Sequence, residues 1–432
     1  MGLPNRSSTS IIPKISKKLA IRSVCLLVFV IGLIYGLIWF LKVRSDLGGL
    51  KTAETAGWIS AIQYLPDGQQ VVLISPDGKI HTDPDHKPHT RDSDVTWSPH
   101  GNFVFFVSDR NQNNFNLFRL SPSIDDSERA DQRTTGTRAR SNPKFSAQPT
   151  EDSDNIAMPL IASGGAIQQY DPSKQSTEQV LPPTSKEITT TQSSDNESGT
   201  AGEFEGEYGN LGTSFRIAQW CGNGKYIIGV MRRESGEVLV LQSMQPVDGK
   251  FPRPRPLTAG EHIDFDVSRA DGNIVYTVQR FMWTDKPPLD KSGNPVPKPF
   301  VNGVVYLDLV KAKPELIAQD KAVGFGYPAI RPDGKVVAVV FGKPDNGSIQ
   351  SNGLFTLPLA GQKDFKSTPI QGDLHEPSWS PDGTHLVFVG RKDKGKRTIY
   401  DLRTDDGTMR SVTGDAGDFA TPQFSPQIKG AS

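Results

Sequence analysis

A chain of 432 residues with 35% hydrophobic content can bury one large core or two ordinary ones. Its 48 Lys and Arg balance 48 Asp and Glu, so no net field gathers polyanions, and nucleic acid is set aside as a partner. Two cysteines, one of them inside an apolar run, exclude a disulfide framework, while 41 Gly and 33 Pro suit turn-rich β structure.

Residues 1–23 form a basic tail, with Arg6, Lys14, Lys17, Lys18 and Arg22 and no acid. Residues 24–41 read VCLLVFVIGLIYGLIWFL, an uncharged run that as a transmembrane helix spans ~27 Å, close to the hydrocarbon thickness. After it, Lys42, Arg44 and Lys51 mix with Asp46 and Glu54. The bias in basic residues puts the N-terminus in the cytoplasm and everything after Arg44 outside. The run ends in Trp39-Phe40-Leu41-Lys42 with no small-x-small cleavage site, so it reads as an uncleaved signal anchor, and Cys25 opens the run where a lipoprotein cysteine would close it. Residues 42–56 read as a linker.

Residues 57–426 carry a recurring phrase: Trp97-Ser98-Pro99-His100-Gly101, Arg331-Pro332-Asp333-Gly334 and Trp379-Ser380-Pro381-Asp382-Gly383. A short apolar run follows each, which is strand, tight turn and buried strand. A unit of ~50 residues cannot bury its own apolar faces and must stack on copies of itself, which predicts an all-β propeller. Seven starts can be aligned, at Ile59 to Leu65, Asp94 to Trp97, Ser141 to Ser146, Ile217 to Trp220, Phe265 to Ser268, Pro328 to Ile330 and Pro377 to Trp379. An eighth fragment, Thr421 to Pro426, begins a copy and stops. Seven blades are expected; six and eight stay open, because the third copy is degenerate and the fragment could either close the ring or start another blade.

The turn Gly supplies positive φ, and the Asp or Asn before it tolerates left-handed backbone. The runs that follow, such as Phe103 to Val107, Tyr226 to Val230, Val336 to Val340 and Leu386 to Val389, are apolar at consecutive positions. Both of their faces should be buried, as in the middle strand of a packed blade. A β-sandwich would also show regularly spaced strands, but the repeated turn phrase favours the propeller. Two insertions interrupt it: residues 183–212, rich in Ser, Thr, Gly and Glu, and Phe281 to Phe300, with Phe281-Met282-Trp283 ahead of a Pro-rich stretch. Residues 427–432 are a short tail.

The copy Trp379-Ser380-Pro381-Asp382-Gly383, Leu386-Val387-Phe388-Val389, Arg391, Ile399-Tyr400 and Gly407 resembles the WD-repeat-like propeller repeat of the TolB family, which is related to prolyl oligopeptidase propellers. The second copy, with Phe106-Val107-Ser108-Asp109-Arg110, resembles it nearly as well. The resemblance implies a blade architecture, a bacterial cell and a role in protein–protein contact in the periplasm or at the cell surface. It does not extend to that family's separate N-terminal domain, whose place the membrane anchor takes.

No nucleophile elbow, phosphate loop, His-Glu-x-x-His or Cys-x-x-Cys occurs, so no catalytic, cofactor or metal residue is assigned. Peptidase activity would need an α/β-hydrolase domain, and the sequence ends in blade-like residues. His81, His86 and His89, with Asp83, Asp85, Pro84 and Pro88 among them, read as a solvated loop. Asp94, His262, Asp264, His375, Glu376 and Asp418 lie just ahead of first strands, which line the channel of a propeller. His262, Asp264, His375 and Glu376 are therefore the predicted channel-mouth site, able to take a cation or a polar peptide end; ordinary wet lining is the other reading. The expected function is a membrane-anchored, extracytoplasmic, non-catalytic module that binds another envelope protein. The alternative is a metal-dependent hydrolase or lyase at the channel mouth.

Overall fold

A phrase that builds strand, turn and strand leaves no room for helix, and every regular element described in this computed structural model is a β-strand. The residues described are 56–111, 114–122, 129–135, 140–141, 143–145, 158–162, 167–171, 176–181, 215–221, 224–233, 236–245, 252, 254–281, 301–311, 313–345, 348–359, 370–391 and 395–426. The predicted basic tail, anchor, insertion 183–212 and C-terminal tail fall outside them, as do nearly all of the linker and of the insertion after Phe281.

The strands are β1 (Ile59–Leu65), β2 (Gly68–Ile74), β3 (Ile80–Thr82), β4 (Asp92–Trp97), β5 (Val104–Ser108), β6 (Asn116–Leu120) and β7 (Asp131–Gln132). Next come β8 (Arg140–Ser141), β9 (Met158–Ala162), β10 (Ile167–Asp171), β11 (Ser176–Leu181), β12 (Phe215–Cys221), β13 (Tyr226–Arg233), β14 (Gly236–Ser243) and β15 (Arg255–Val267). β16 (Ile274–Phe281), β17 (Val301–Asp308), β18 (Lys313–Asp320), β19 (Gly324–Ile330), β20 (Val336–Asp345), β21 (Ser348–Pro358) and β22 (Ile370–Gln371) follow. β23 (Asp373–Trp379), β24 (His385–Arg391), β25 (Arg397–Arg403), β26 (Met409–Ser411) and β27 (Asp418–Phe424) complete the chain.

They pair as four-stranded antiparallel sheets: β4 to β7, β8 to β11, β19 to β22, β23 to β26, and β27-β1-β2-β3. β12 to β18 form a seven-stranded sheet in which β15 serves twice. Its residues Arg255 to Gly260 pair with β14, and Glu261 to Val267 pair with β16. The terminal fragment is thus the innermost strand of the sheet that the N-terminal strands build, with Phe424 opposite Ile59 and Asp418 opposite Tyr64. This corrects the phase of the first repeat. Ile59 to Leu65 is a second strand, not a first, and Pro66-Asp67-Gly68 turns between second and third strands.

Where the phrase does join first and second strands, its turn is built alike each time. Ser98, Arg331 and Ser380 donate their N–H to Phe103, Val336 and His385 at 2.9, 2.7 and 2.9 Å, and the glycine N–H bonds back to the same residue. Gly383 has φ 71°, and a Cβ there would stand 3.0 Å from Cγ of Arg331 in the neighbouring sheet's turn, so the position needs glycine twice over.

Apolar contacts join each sheet to the next. Val71 and Leu73 share a buried cluster with Val104 and Phe106, Leu117 with Leu160, Ile161 with Val238, and Leu239 with Val305. Val304 does so with Val337, Val340 with Phe388, and Val387 with Val72, which returns the core to its start. Middle strands such as Val336 to Val340 are fully buried, as their unbroken apolar runs require.

The tryptophan of the phrase fastens one sheet to its predecessor. Trp379 Nε1 donates to the carbonyl of Ala329 at 2.9 Å, and Trp97 Nε1 to that of Gln423 at 3.1 Å. Trp379→Ala is expected to cost about 3–5 kcal/mol, through the lost ring and the cavity it leaves. Trp379→Phe, which keeps most of the ring but orphans the Ala329 carbonyl, should cost about 1–3 kcal/mol. Denaturant melts of the two variants check this; equal midpoints for both and wild type would remove Trp379 from the inter-sheet core.

Candidate functional site

Innermost strands must turn one edge of their backbone toward the axis, and here they do so through a repeated irregularity. Register slips by one residue between Ser93 and Thr96 in β4, Glu261 and Asp264 in β15, Gly326 and Ala329 in β19, and His375 and Ser378 in β23. In β27 it slips between Ala420 and Gln423. Each bulge holds a non-glycine residue in left-handed backbone: Asp94 at φ 51°, His262 at 50°, Tyr327 at 51°, Glu376 at 54° and Thr421 at 50°. Such residues are uncommon, and bulges re-aim side chains beside functional sites. In four of these strands the residue lies four places before the one that opens the turn (Ser98, Arg331, Ser380, Ser425). In β15 the bulge comes two residues sooner, and Asp264 takes that place instead of His262.

The innermost strands lie side by side in the same direction, as the cross-strand pairs Asp264 to Tyr327, Asp266 to Ile330 and Glu376 to Thr421 require. They enclose a cavity of about 650 Å³. Asp94, Asp264, Tyr327, Glu376 and Thr421 line it toward one mouth, while Arg269 and the turn prolines Pro99, Pro332 and Pro426 line it toward the other.

A bulge takes a backbone N–H out of the strand ladder, and a carboxylate from the preceding sheet accepts it. Glu376 Oε2 accepts from Thr421 N at 2.6 Å, and Asp264 Oδ2 from Tyr327 N at 3.4 Å. Farther along, Asp266 Oδ2 accepts from Ile330 N at 2.7 Å. These bonds staple neighbouring sheets through one oxygen of each carboxylate, so the same acids can serve structure and recognition.

Arg216 fixes the mouth from outside the channel. Its guanidinium pairs with Glu237 at 2.6 Å, donates to the Ile263 carbonyl, and stands 3.5 Å from Asp264 Oδ1. Enclosure by the channel walls raises the Asp264 carboxyl above its ordinary range, against the pull of Arg216 and the Tyr327 N–H, although 32% of the side chain meets solvent. Burial, followed by the charges of Glu376 and Asp264, pushes the Tyr327 phenol up to about 12, so it stays a neutral hydroxyl. The mouth therefore offers carboxylates and a hydroxyl to a cationic or hydrogen-bonding group.

Of the four predicted site residues, Asp264 and Glu376 line the cavity, and His262 and His375 are not among its lining residues. His375 Nε2 lies 2.7 Å from Asp373 Oδ1, with its ring edge-on to Tyr327 at 5.9 Å. Asp94 lines the cavity, while Asp418 pairs with Arg397 at 2.7 Å. Among the described residues no three His, Cys, Asp or Glu gather closely enough to hold a metal ion. Tyr327 and Thr421 are neither acid nor imidazole, and their signal in the sequence is their place four residues before each turn.

The histidine loop is solvated only in part: Pro84, Asp85, Pro88 and His89 are exposed, but its other side is buried. His81 is 4% exposed and stacks on Trp58, Asp83 is 3% exposed, and Asp92 is fully buried. Arg110 reaches in to bind both aspartates, with Asp92 at 2.8 Å. The loop is tied down by buried charge.

No family model matches the chain, and no curated protein matches it. Among solved structures it is similar to puromycin hydrolase, at 12% identity and TM-score 0.53 over 83% of this chain and 52% of that one. It is also similar to TolB from Acinetobacter baumannii, at 12% identity and TM-score 0.44 over 86% of this chain and 83% of that one. The β-propeller domain of Cps50 (Swd1) from Myceliophteria thermophila matches at 9% identity and TM-score 0.45, over 75% of this chain and 87% of that one. The chain spans about half the length of puromycin hydrolase. These likenesses concern fold alone.

Proposed function

We propose that this chain is a single-pass membrane protein whose seven-bladed propeller, held outside the cytoplasm, is a non-catalytic module that receives a cationic segment of an envelope protein. Counting the shared strand β15 in both halves of its seven-stranded sheet supports seven blades of four strands each. The observation that carries the binding role is the convergence of Asp94, Asp264 and Glu376, from three separate innermost strands, on one cavity. A concavity with a few aimed polar groups is the usual form of a binding site. Anchoring rests on the uncharged run 24–41 and the basic residues before it. A reporter fused after Ser432 should be extracytoplasmic; cytoplasmic activity would overturn the topology.

The binding role is tested with a photo-crosslinking side chain at Ser378, which lines the cavity, and another at Met409, which is 50% exposed on an outer strand. In native membranes Ser378 should give a discrete protein adduct that Met409 does not. Equal adducts from both positions, or none from Ser378, would overturn the reading.

A further inference from the structure

The two ends of the channel carry opposite charge. Asp94, Asp264 and Glu376 each lie four places before the residue that opens their turn, whereas Arg269 lies in the turn itself; Lys144 and Asp266 line the same cavity. Lys144 and Arg269 both act on Asp266 at a distance, yet among the described residues neither forms a salt bridge. One oxygen of Asp266 already accepts the Ile330 N–H. Two cations thus face one partly used carboxylate, which leaves positive charge at that end for an incoming anion. Burial lowers the Arg269 guanidinium below its ordinary range, and the charge of Asp266 opposes this.

Five chain steps separate Asp264 from Arg269. At strand rise that is at most about 17 Å, the reach of about five extended residues. A metal ion cannot span the two ends, and a compact dication or dianion would meet like charge at one of them. An extended chain with opposite charges about five residues apart meets both.

Resting on the binding role above, we propose that the channel holds its ligand as a dipole. The ligand is a short extended peptide with its cationic group at Asp94, Asp264 and Glu376 and its anionic group at Lys144 and Arg269. Direction is then set by charge, so the partner's segment enters the channel one way round. Bulge residues Tyr327 and Thr421 flank the cationic end, and the prolines at the turns rim the anionic one.

Calorimetric titration of the full chain in detergent with three blocked pentapeptides tests this: acetyl-Lys-Gly-Ser-Gly-Asp-amide, and its Lys/Lys and Asp/Asp counterparts. Wild type should bind the Lys/Asp peptide at least about tenfold more tightly than either counterpart, the effect of roughly one well-placed charge pair. In a Lys144→Gln, Arg269→Gln variant, the preference for Lys/Asp over Lys/Lys should vanish while the preference over Asp/Asp persists. Lys/Lys binding as tightly as Lys/Asp in wild type would overturn the dipole and leave the acidic mouth standing. Equal binding of all three peptides, or none by any, would overturn both.

Discussion

Deleting residues 418–432 should abolish folding of the propeller, whereas deleting 185–208 should move the thermal midpoint only slightly. The first deletion removes β27, which supplies the inner partner of β1 along Ile59 to Tyr64. It takes away Phe419, fully buried, and Phe424, 9% exposed, each worth about 3–5 kcal/mol on truncation to alanine. It also removes the Gln423 carbonyl that Trp97 binds, the Thr421 N–H that Glu376 binds and the Asp418 carboxylate that Arg397 binds. The sum rivals the ~5–15 kcal/mol that holds a typical domain together, and it leaves β1 as an open edge. The second deletion removes a Ser-, Thr- and Gly-rich stretch with little apolar area to lose. Near-UV circular dichroism and limited proteolysis of both truncations decide the matter; equal midpoints would mean that the ring does not close through β27.

Arg110→Met should cost about 3–5 kcal/mol, the usual consequence of removing one partner from a buried ion pair. Only 4% of its side chain is exposed, and it binds Asp92, fully buried, and Asp83, 1% exposed, while lying 5.2 and 5.1 Å from the ring centres of Phe106 and Phe118. Burial alone would raise the Asp92 carboxyl, but the hydrogen bond from His86 and the charge of Arg110 outweigh it and hold it below its ordinary value. A carboxyl depressed in the folded state stabilises fully above the unfolded value of about 3.9, and that stability is lost as pH falls through the folded value. Without Arg110 the depression weakens, so acid unfolding should begin at higher pH than in wild type. Adding Asp83→Asn and Asp92→Asn to Arg110→Met should recover part of the loss. Melts between pH 2 and 7 read all three effects, and an Arg110→Met curve that overlays wild type would show that the network contributes nothing.

The blade pattern was legible in the sequence because turn chemistry and buried middle strands are local: Gly383 with its Trp379 and the Leu386 to Val389 run announce one another within a dozen residues. The phase of the first blade was not. Pro66-Asp67-Gly68 joins second and third strands with the same residue types that elsewhere join first and second, and only pairing with β27, some 350 residues away, tells them apart. Asp264 and Glu376 are legible as carboxylates just ahead of first strands, whereas the backbone keeps the neighbouring His262 and His375 out of the cavity lining. The two-residue offset of the β15 bulge decides which of His262 and Asp264 meets the channel. Arg110, Asp83 and Asp92 are hydrophilic residues in what reads as loop and strand edge, and nothing local reveals that they are buried together.

Partner recognition is proposed to rest on the carboxylates that line the channel mouth. It is tested most directly by crosslinking from Ser378 in a chain carrying Asp264→Asn and Glu376→Gln, substitutions that keep shape and the capacity to accept the Tyr327 and Thr421 N–H groups while removing charge. The expected variant still melts cooperatively and has lost the Ser378 adduct in native membranes. A cooperatively melting variant with the adduct at wild-type yield would contradict it.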